Sequence, residues 1–177
     1  AVKALQKEGA YINCVPYGYM KDPINKHLYY IDTATAPYVK LMFDLYINGM
    51  GVRAIAKKFN EENIPTCTMI RKQRLESFGK ATRYKQTLWG GDAIKRMLSN
   101  TFYIGTLTLN KTMCRTINGK RSKNPSDKHY VFENAHDPII DKTTFDLAQE
   151  VSLQRKKKTY RGTKINRPNI FSGMLVC

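Results

Sequence analysis

The stretch that most constrains the fold is 35–60, TAPYVKLMFDLYINGMGVRAIAKKFN. Val39, Met42, Phe43, Tyr46 and Ile47 recur at the i, i+3, i+4, i+7, i+8 spacing of one buried helical face. Pro37 suits a first helical turn, where its missing N–H costs nothing, and Thr35 stands where a cap belongs. Gly49 and Gly51 are expected to supply left-handed positions that end the helix and turn the chain. Val52, Ile55, Ala56 and Phe59 then repeat the stripe in a second helix, with Arg53, Lys57 and Lys58 outside it. A helix, a glycine turn and a basic helix make either half of a DNA reader or a plain helical hairpin. The stretch alone does not choose.

On either side the patterning changes. Residues 1–9 read as the tail of a helix closed by Gly9. Tyr11 to Ile31 is aromatic and turn-rich, as in short strands or a hairpin packed on the helices. Its tyrosines suit stacking on bases, but more often such residues are half-buried core with the hydroxyl at the surface. Residues 65–86 are polar and basic, a loop or a poorly patterned helix, suited to clamping a phosphate backbone or to lying as a solvated insertion. Trp89 reads as a core anchor. A short helix over 92–100, capped by Gly91 or Asp92, turns Ala93, Ile94, Met97 and Leu98 inward and Lys95, Arg96 and Ser99 outward. Phe102 to Arg115 alternates as a strand, Asn118-Gly119 is a strong hairpin signal, and Tyr130, Val131 and Phe132 would form the partner strand. Lys120, Arg121, Lys123 and Lys128 decorate that tip, as on a β-wing or on any solubilised hairpin. Asp141 is placed to cap a last helix holding Phe145, Ala148 and Val151 and ending in Arg155–Lys158. The fold class expected is α+β and mainly helical: a compact bundle of helix-turn-helix-like character with a small antiparallel β element.

Charge narrows the function. Thirty Lys and Arg against fourteen Asp and Glu give the 177-residue chain a net charge of +16. Such a field favours polyanions, nucleic acid first among them. Val151 to Cys177 holds seven basic residues and no acid, the pattern of an arm along DNA. No apolar run approaches the ~18 residues of a spanning helix, so no membrane partner is expected. Cys14, Cys67, Cys114 and Cys177 stand apart without a CxxC, which speaks for reduced cytosolic thiols over a disulfide framework. His27, His129 and His136 are too scattered for a ligand set. Glu133, Asp137 and Asp141 could be drawn as a nuclease cluster around His136, but Asp141 is better used as a cap. No GxxxxGK loop is present, and no serine sits in a nucleophile context. No catalytic residue is expected in this chain, and no cofactor.

Five motifs in order carry a resemblance: PYGY at 16–19; IDTATAPYVKLMFDLYINGMGVRAIAKKFNEENIPT at 31–66; Trp89 followed by IKRMLSNTFYIGT at 94–106; HDPIIDKTTFDLAQ at 136–149; and FSGMLVC at 171–177. Together they resemble the recombinase domain of the large serine recombinases, the serine integrases and conjugative-transposon recombinases. The resemblance implies double-stranded DNA as partner, with the domain gripping one half of an attachment site during integration or excision of a mobile element. It implies that 1–9 end a linker helix from a catalytic domain lying elsewhere, that 10–155 are the DNA-binding domain, and that 156–177 are a basic linker to a zinc ribbon. Cys177 matches that ribbon's first metal ligand, so zinc is expected in the full-length protein and not in this chain. The implied parent is a bacterial or phage-encoded cytoplasmic enzyme, nucleoid-associated, a dimer on each site and a tetramer in synapsis, with this chain a monomer by itself. In hypothesis, Lys95, Arg96 and Ser99 approach the major groove, and Arg71, Lys72, Arg74, Arg83 and Lys85 contact phosphates nearby. Arg155, Lys156, Lys157, Lys158, Arg161, Lys164 and Arg167 would follow the backbone onward. The 67–86 stretch is longer than the family's usual link, which strains a tight helix-turn-helix geometry. A rival from another class is an RNA-binding or ribosome-associated module.

Overall fold

Two consecutive helices, α1 (Ala36–Ile47) and α2 (Val52–Glu61), form the centre of the molecule and end in the same way. After α1, Gly49 adopts a left-handed φ of 98°. Its N–H donates to the Tyr46 carbonyl, and the Met50 N–H donates to the Leu45 carbonyl at 3.0 Å. After α2, Asn63 takes the left-handed place with φ 53°, and the Ile64 N–H reaches back to the Phe59 carbonyl at 2.9 Å. This is the Schellman closure, which satisfies the carbonyls a helix end leaves bare. Gly51 was expected to be left-handed too. It is extended instead (φ −75°, ψ 152°) and opens α2 as its N-cap. Thr35 does precede α1, but its hydroxyl makes no cap; it donates to the buried Asp32 carboxylate at 2.9 Å.

The computed structural model describes residues 7, 9–10, 14–22, 24–25, 27–77, 79, 87–114 and 119–158. Helix α3 (Cys67–Ser77) occupies the polar stretch, with the Thr66 hydroxyl accepting from the Met69 N–H. Helix α4 (Gly91–Leu98) begins one residue earlier than its pattern suggested. Gly90 is its N-cap, so neither Gly91 nor Asp92 plays that part. Helix α5 (Lys142–Lys158) closes the bundle against α1 and α4.

The strands are short and pair in three antiparallel ribbons: β1 (Tyr19–Lys21) with β2 (Tyr29–Ile31), β3 (Leu107–Leu109) with β6 (Tyr130–Phe132), and β4 (Thr112–Cys114) with β5 (Arg121–Lys123). The expected partner of the 102–115 strand is the right one, with Leu107 opposite Phe132. Tyr103 and Ile104, however, lie in a 3-10 turn over Thr101–Ile104 rather than in the strand. Asn100 explains the turn, because its side chain accepts the Phe102 N–H and breaks the extended run. The hairpin residue Asn118 lies outside the described residues.

One core joins these pieces. Val39, Met42, Phe43, Ile55, Phe59, Ile94 and Tyr103 are fully buried. Trp89 sits among them as the anchor its uniqueness suggested. Its indole N–H donates to the Ile64 carbonyl at 2.9 Å, and its backbone exchanges two bonds with the Asn60 side-chain amide. Tyr17 and Phe59 meet its ring edge-on. Gly18 shows how closely the first ribbon docks: a Cβ there would lie 2.8 Å from Ile139 Cδ1 and 2.9 Å from Val39 Cγ2.

Candidate nucleic-acid interface

Helix α4 is held by what it buries. Ile94 and Leu98 are one turn apart and lie in the core against α2. A helix that pins this face must turn the opposite one outward, and Lys95 and Arg96 are exposed. No ion pair joins either of them to an acid among the described residues. Arg96 Nε donates to its own helix at the Asp92 carbonyl, 3.2 Å away. Ser99 is exposed, but its hydroxyl proton is shared between the Lys95 and Arg96 carbonyls at 3.1 and 3.2 Å. Ser99 therefore offers an outside group acceptor lone pairs, with its donor already occupied.

Two grooves flank α4. On one side, α2 and the start of α4 bound an open groove of about 450 Å³ lined by Arg53, Ala56, Lys57, Asn60, Glu61, Trp89 and Gly91, with Lys57 and Glu61 paired at 3.7 Å. On the other, the start of α3 faces α4 across a groove of about 440 Å³, where Thr66, Thr68, Thr87 and Asn100 gather with Arg96. Arg96 thus stands at the edge of a groove whose walls are mainly apolar, Tyr17, Leu88, Trp89 and Met97 among them, with these hydroxyls and one amide between. Arg53 and Lys57 are not among the contact residues expected from the sequence. Their position off the apolar stripe of α2 was the available signal, but only packing shows that they come up beside α4.

The other candidate cations divide. Arg71 is exposed on α3, where Lys72 pairs with Glu76 at 3.7 Å. Arg74 belongs to the same helix. Arg83, Lys85, Arg161, Lys164, Arg167 and Cys177 lie outside the described residues. Lys156, Lys157 and Lys158 continue α5 as its last turn, so this part of the basic tail begins as helix. Arg155 is a correction. It was expected among the phosphate contacts, but its guanidinium turns inward: Nη1 donates to the Met50 carbonyl at 3.1 Å, Nη2 to the Gly49 carbonyl at 2.7 Å, and Cζ lies 4.4 Å from the Tyr46 ring centroid. The carbonyls of the turn between α1 and α2 attract it, together with the face of an aromatic ring.

The aromatic N-terminal segment does not build a stacking platform from Tyr17 and Tyr19. Both are buried, with hydroxyls donating to the Pro65 and Asp137 carbonyls, and burial pushes both phenols well above their ordinary range. His136 packs against Tyr19, Tyr29 and Phe102, with Nε2 2.6 Å from the Phe102 carbonyl. Nδ1 is buried without a hydrogen-bond partner. Burial lowers the pKa of this imidazole, against the opposing pull of that carbonyl and of Asp137. Among the described residues, no three of His, Cys, Asp and Glu gather where a metal ion could sit. The nuclease grouping of Glu133, Asp137 and Asp141, set against a capping role for Asp141 in the sequence, is not assembled among the described residues. Asp141 instead accepts the Thr144 hydroxyl at the start of α5. No helix among the described residues is long and apolar enough to cross a membrane.

Among known proteins, the chain is 27% identical over 90 residues to the uncharacterized protein YefB of Bacillus subtilis (strain 168), a match covering 50% of this chain and 29% of that protein. Among solved structures it is similar to a crystal structure of an LSR–DNA complex, with a TM-score of 0.46 and 18% identity over 94% of this chain and 39% of that one. A second structure, from work on the sequence requirements of the Listeria innocua prophage attP site, gives 0.45 and 19% over 89% and 51%. The chain therefore spans about half or less of the length of each of these relatives. The family model described as Recombinase matches residues 33–155, from the approach to α1 through to Arg155. That match takes in more than half of the chain, and the chain belongs to the Recombinase family.

Proposed function

We propose that this chain is the duplex-DNA-binding domain of a serine site-specific recombinase and grips one half of an attachment site. The observation that carries the reading is α4, a short helix locked into the core by Ile94 and Leu98. Its Lys95 and Arg96 face outward with no acid to neutralise them among the described residues. A rigid helix of this kind can enter the major groove, and an arginine at its surface can bond two acceptors of a guanine edge. Arg53 and Arg71 stand on the neighbouring helices, where phosphate contacts would fix its register. Residues 10–155 form the domain in this proposal. The stretch 156–177 carries the basic chain onward, and the cleaving serine and any zinc belong to other parts of the parent protein.

The test is titration of the chain with an attachment half-site at several salt concentrations. Binding is expected to weaken with salt at a slope of about −0.9 per phosphate neutralised. A shift that is absent, or indifferent to salt, would falsify the proposal. Competition by structured RNA at equal salt that matches duplex DNA would favour the RNA-binding reading instead.

A further inference from the structure

Helix α5 is fastened at two points, the end of α4 and the turn that follows α1. Gln149 Nε2 donates to the Leu98 carbonyl, the last residue of α4, at 2.7 Å. Six residues later, roughly 9 Å along the axis at 1.5 Å per residue, Arg155 holds the Gly49 and Met50 carbonyls and covers Tyr46. Phe145 and Ala148, just ahead of the first point, are buried, and Val151, between the two, packs on the same core. Lys156, Lys157 and Lys158 follow Arg155 directly as the last turn of the helix. The chain therefore enters its basic tail from a point tied, through one rigid element, to the end of α4.

We propose that Arg155 is a positioning residue: by clamping α5 to the end of α1, it sets where the three lysines stand relative to α4, so that both engage one stretch of duplex at once. The inference rests on the DNA-binding reading above. Two contacts joined rigidly at the right spacing bind together more strongly than two joined loosely, because the second then acts at a higher effective concentration. Arg155 is suited to the task because a planar guanidinium can hold two carbonyls and lie on a ring at the same time. A lysine ammonium would keep the charge and lose that fork.

The experiment is a cycle of half-site affinities among the parent chain, Arg155→Lys, the triple variant Lys156→Ala/Lys157→Ala/Lys158→Ala, and the combination of the two. Arg155→Lys is expected to weaken binding about fivefold in the parent and to have no further effect once the three lysines are gone. An equal loss in both backgrounds would overturn the proposal, since a purely structural role, or a phosphate contact of its own, does not depend on the tail. Arg155→Met keeps the aliphatic stem on Tyr46 and cannot bond a phosphate. It is expected to match Arg155→Lys, and lysine restoring what methionine loses would also overturn the proposal by making the charge itself the contact. If the parent does not bind the half-site, it is the DNA-binding reading that fails, and that result is distinct from either of the others.

Discussion

Helices α2 and α4 are built alike and finished differently. Each opens from an extended glycine with no side-chain cap, Gly51 and Gly90, and each buries one apolar face in the same core, Ile55, Ala56 and Phe59 against Ile94 and Leu98. The outer faces differ. On α2, Lys57 and Lys58 each find a glutamate one turn on, Glu61 and Glu62, both at 3.7 Å. On α4 the only acid is Asp92 in the first turn, where it complements the helix dipole rather than Lys95 or Arg96. One helix pairs two of its three cations with its own acids, and the other leaves Lys95 and Arg96 with no acid beside them among the described residues. Equal packing, then, says nothing about which helix meets a ligand. The arrangement of charge on the exposed face does.

The likeness of the two helices breaks hardest in the core they share. Phe59→Ala and Ile94→Ala should each destabilise the fold by about 2–5 kcal/mol, read from denaturant midpoints. A cost confined to one of them would mean that the helices do not share a core. The difference between the outer faces is sharpened by Arg96→Ala, expected to cost about 1–3 kcal/mol in half-site affinity if the guanidinium reads a base, with thermal stability little changed. Loss of affinity on every DNA sequence alike would reassign Arg96 to the phosphates. At the other end of the scale, Lys58→Ala should alter stability by at most about 0.5 kcal/mol, because an exposed i,i+4 pair is worth little. A large effect there, in thermal melts or in binding, would overturn the reading of Lys58 as neutralised by Glu62.

A pH series tests the remaining part of the comparison, that the charges on both helices stay fixed while stability changes elsewhere. Lysine and arginine do not titrate in mild acid, whereas His136 does. Its pKa is lowered by folding from an ordinary 6.5, so the folded state binds the proton less readily than the unfolded one. The stability this contributes is present above about pH 6.5 and is lost as the pH falls through the lowered value. Melting temperature should therefore decline on acidification below about pH 6.5, and His136→Gln should flatten that decline. An unchanged decline would assign it to carboxylates.

Much of this could be read from residue order. The stripes of α1 and α2, the inward set of α4, Trp89 as anchor and the pairing of 107–109 with 130–132 all follow from local period or composition. The misses share one physical origin, competition for hydrogen-bond partners that periodicity does not register. Thr35 bonds Asp32 rather than capping, Asn100 curls Tyr103 out of a strand, and the Ser99 donor turns back on its own helix. Arg155 is the clearest case: in sequence it is the first of four consecutive cations, with nothing to separate it from the three lysines that follow.

The sequence by itself determined the helices that carry a clear apolar stripe, the excess of positive charge and the family, because period, composition and ordered motifs are local properties of the chain. Tertiary structure alone decided which cations are committed within the fold and which face outward. That choice depends on where the bare carbonyls of Gly49, Met50 and Leu98 lie in space. Those carbonyls sit at the end of α4 and in the turn after α1, roughly fifty to a hundred residues from the side chains that bond them, a distance across which no local pattern carries information.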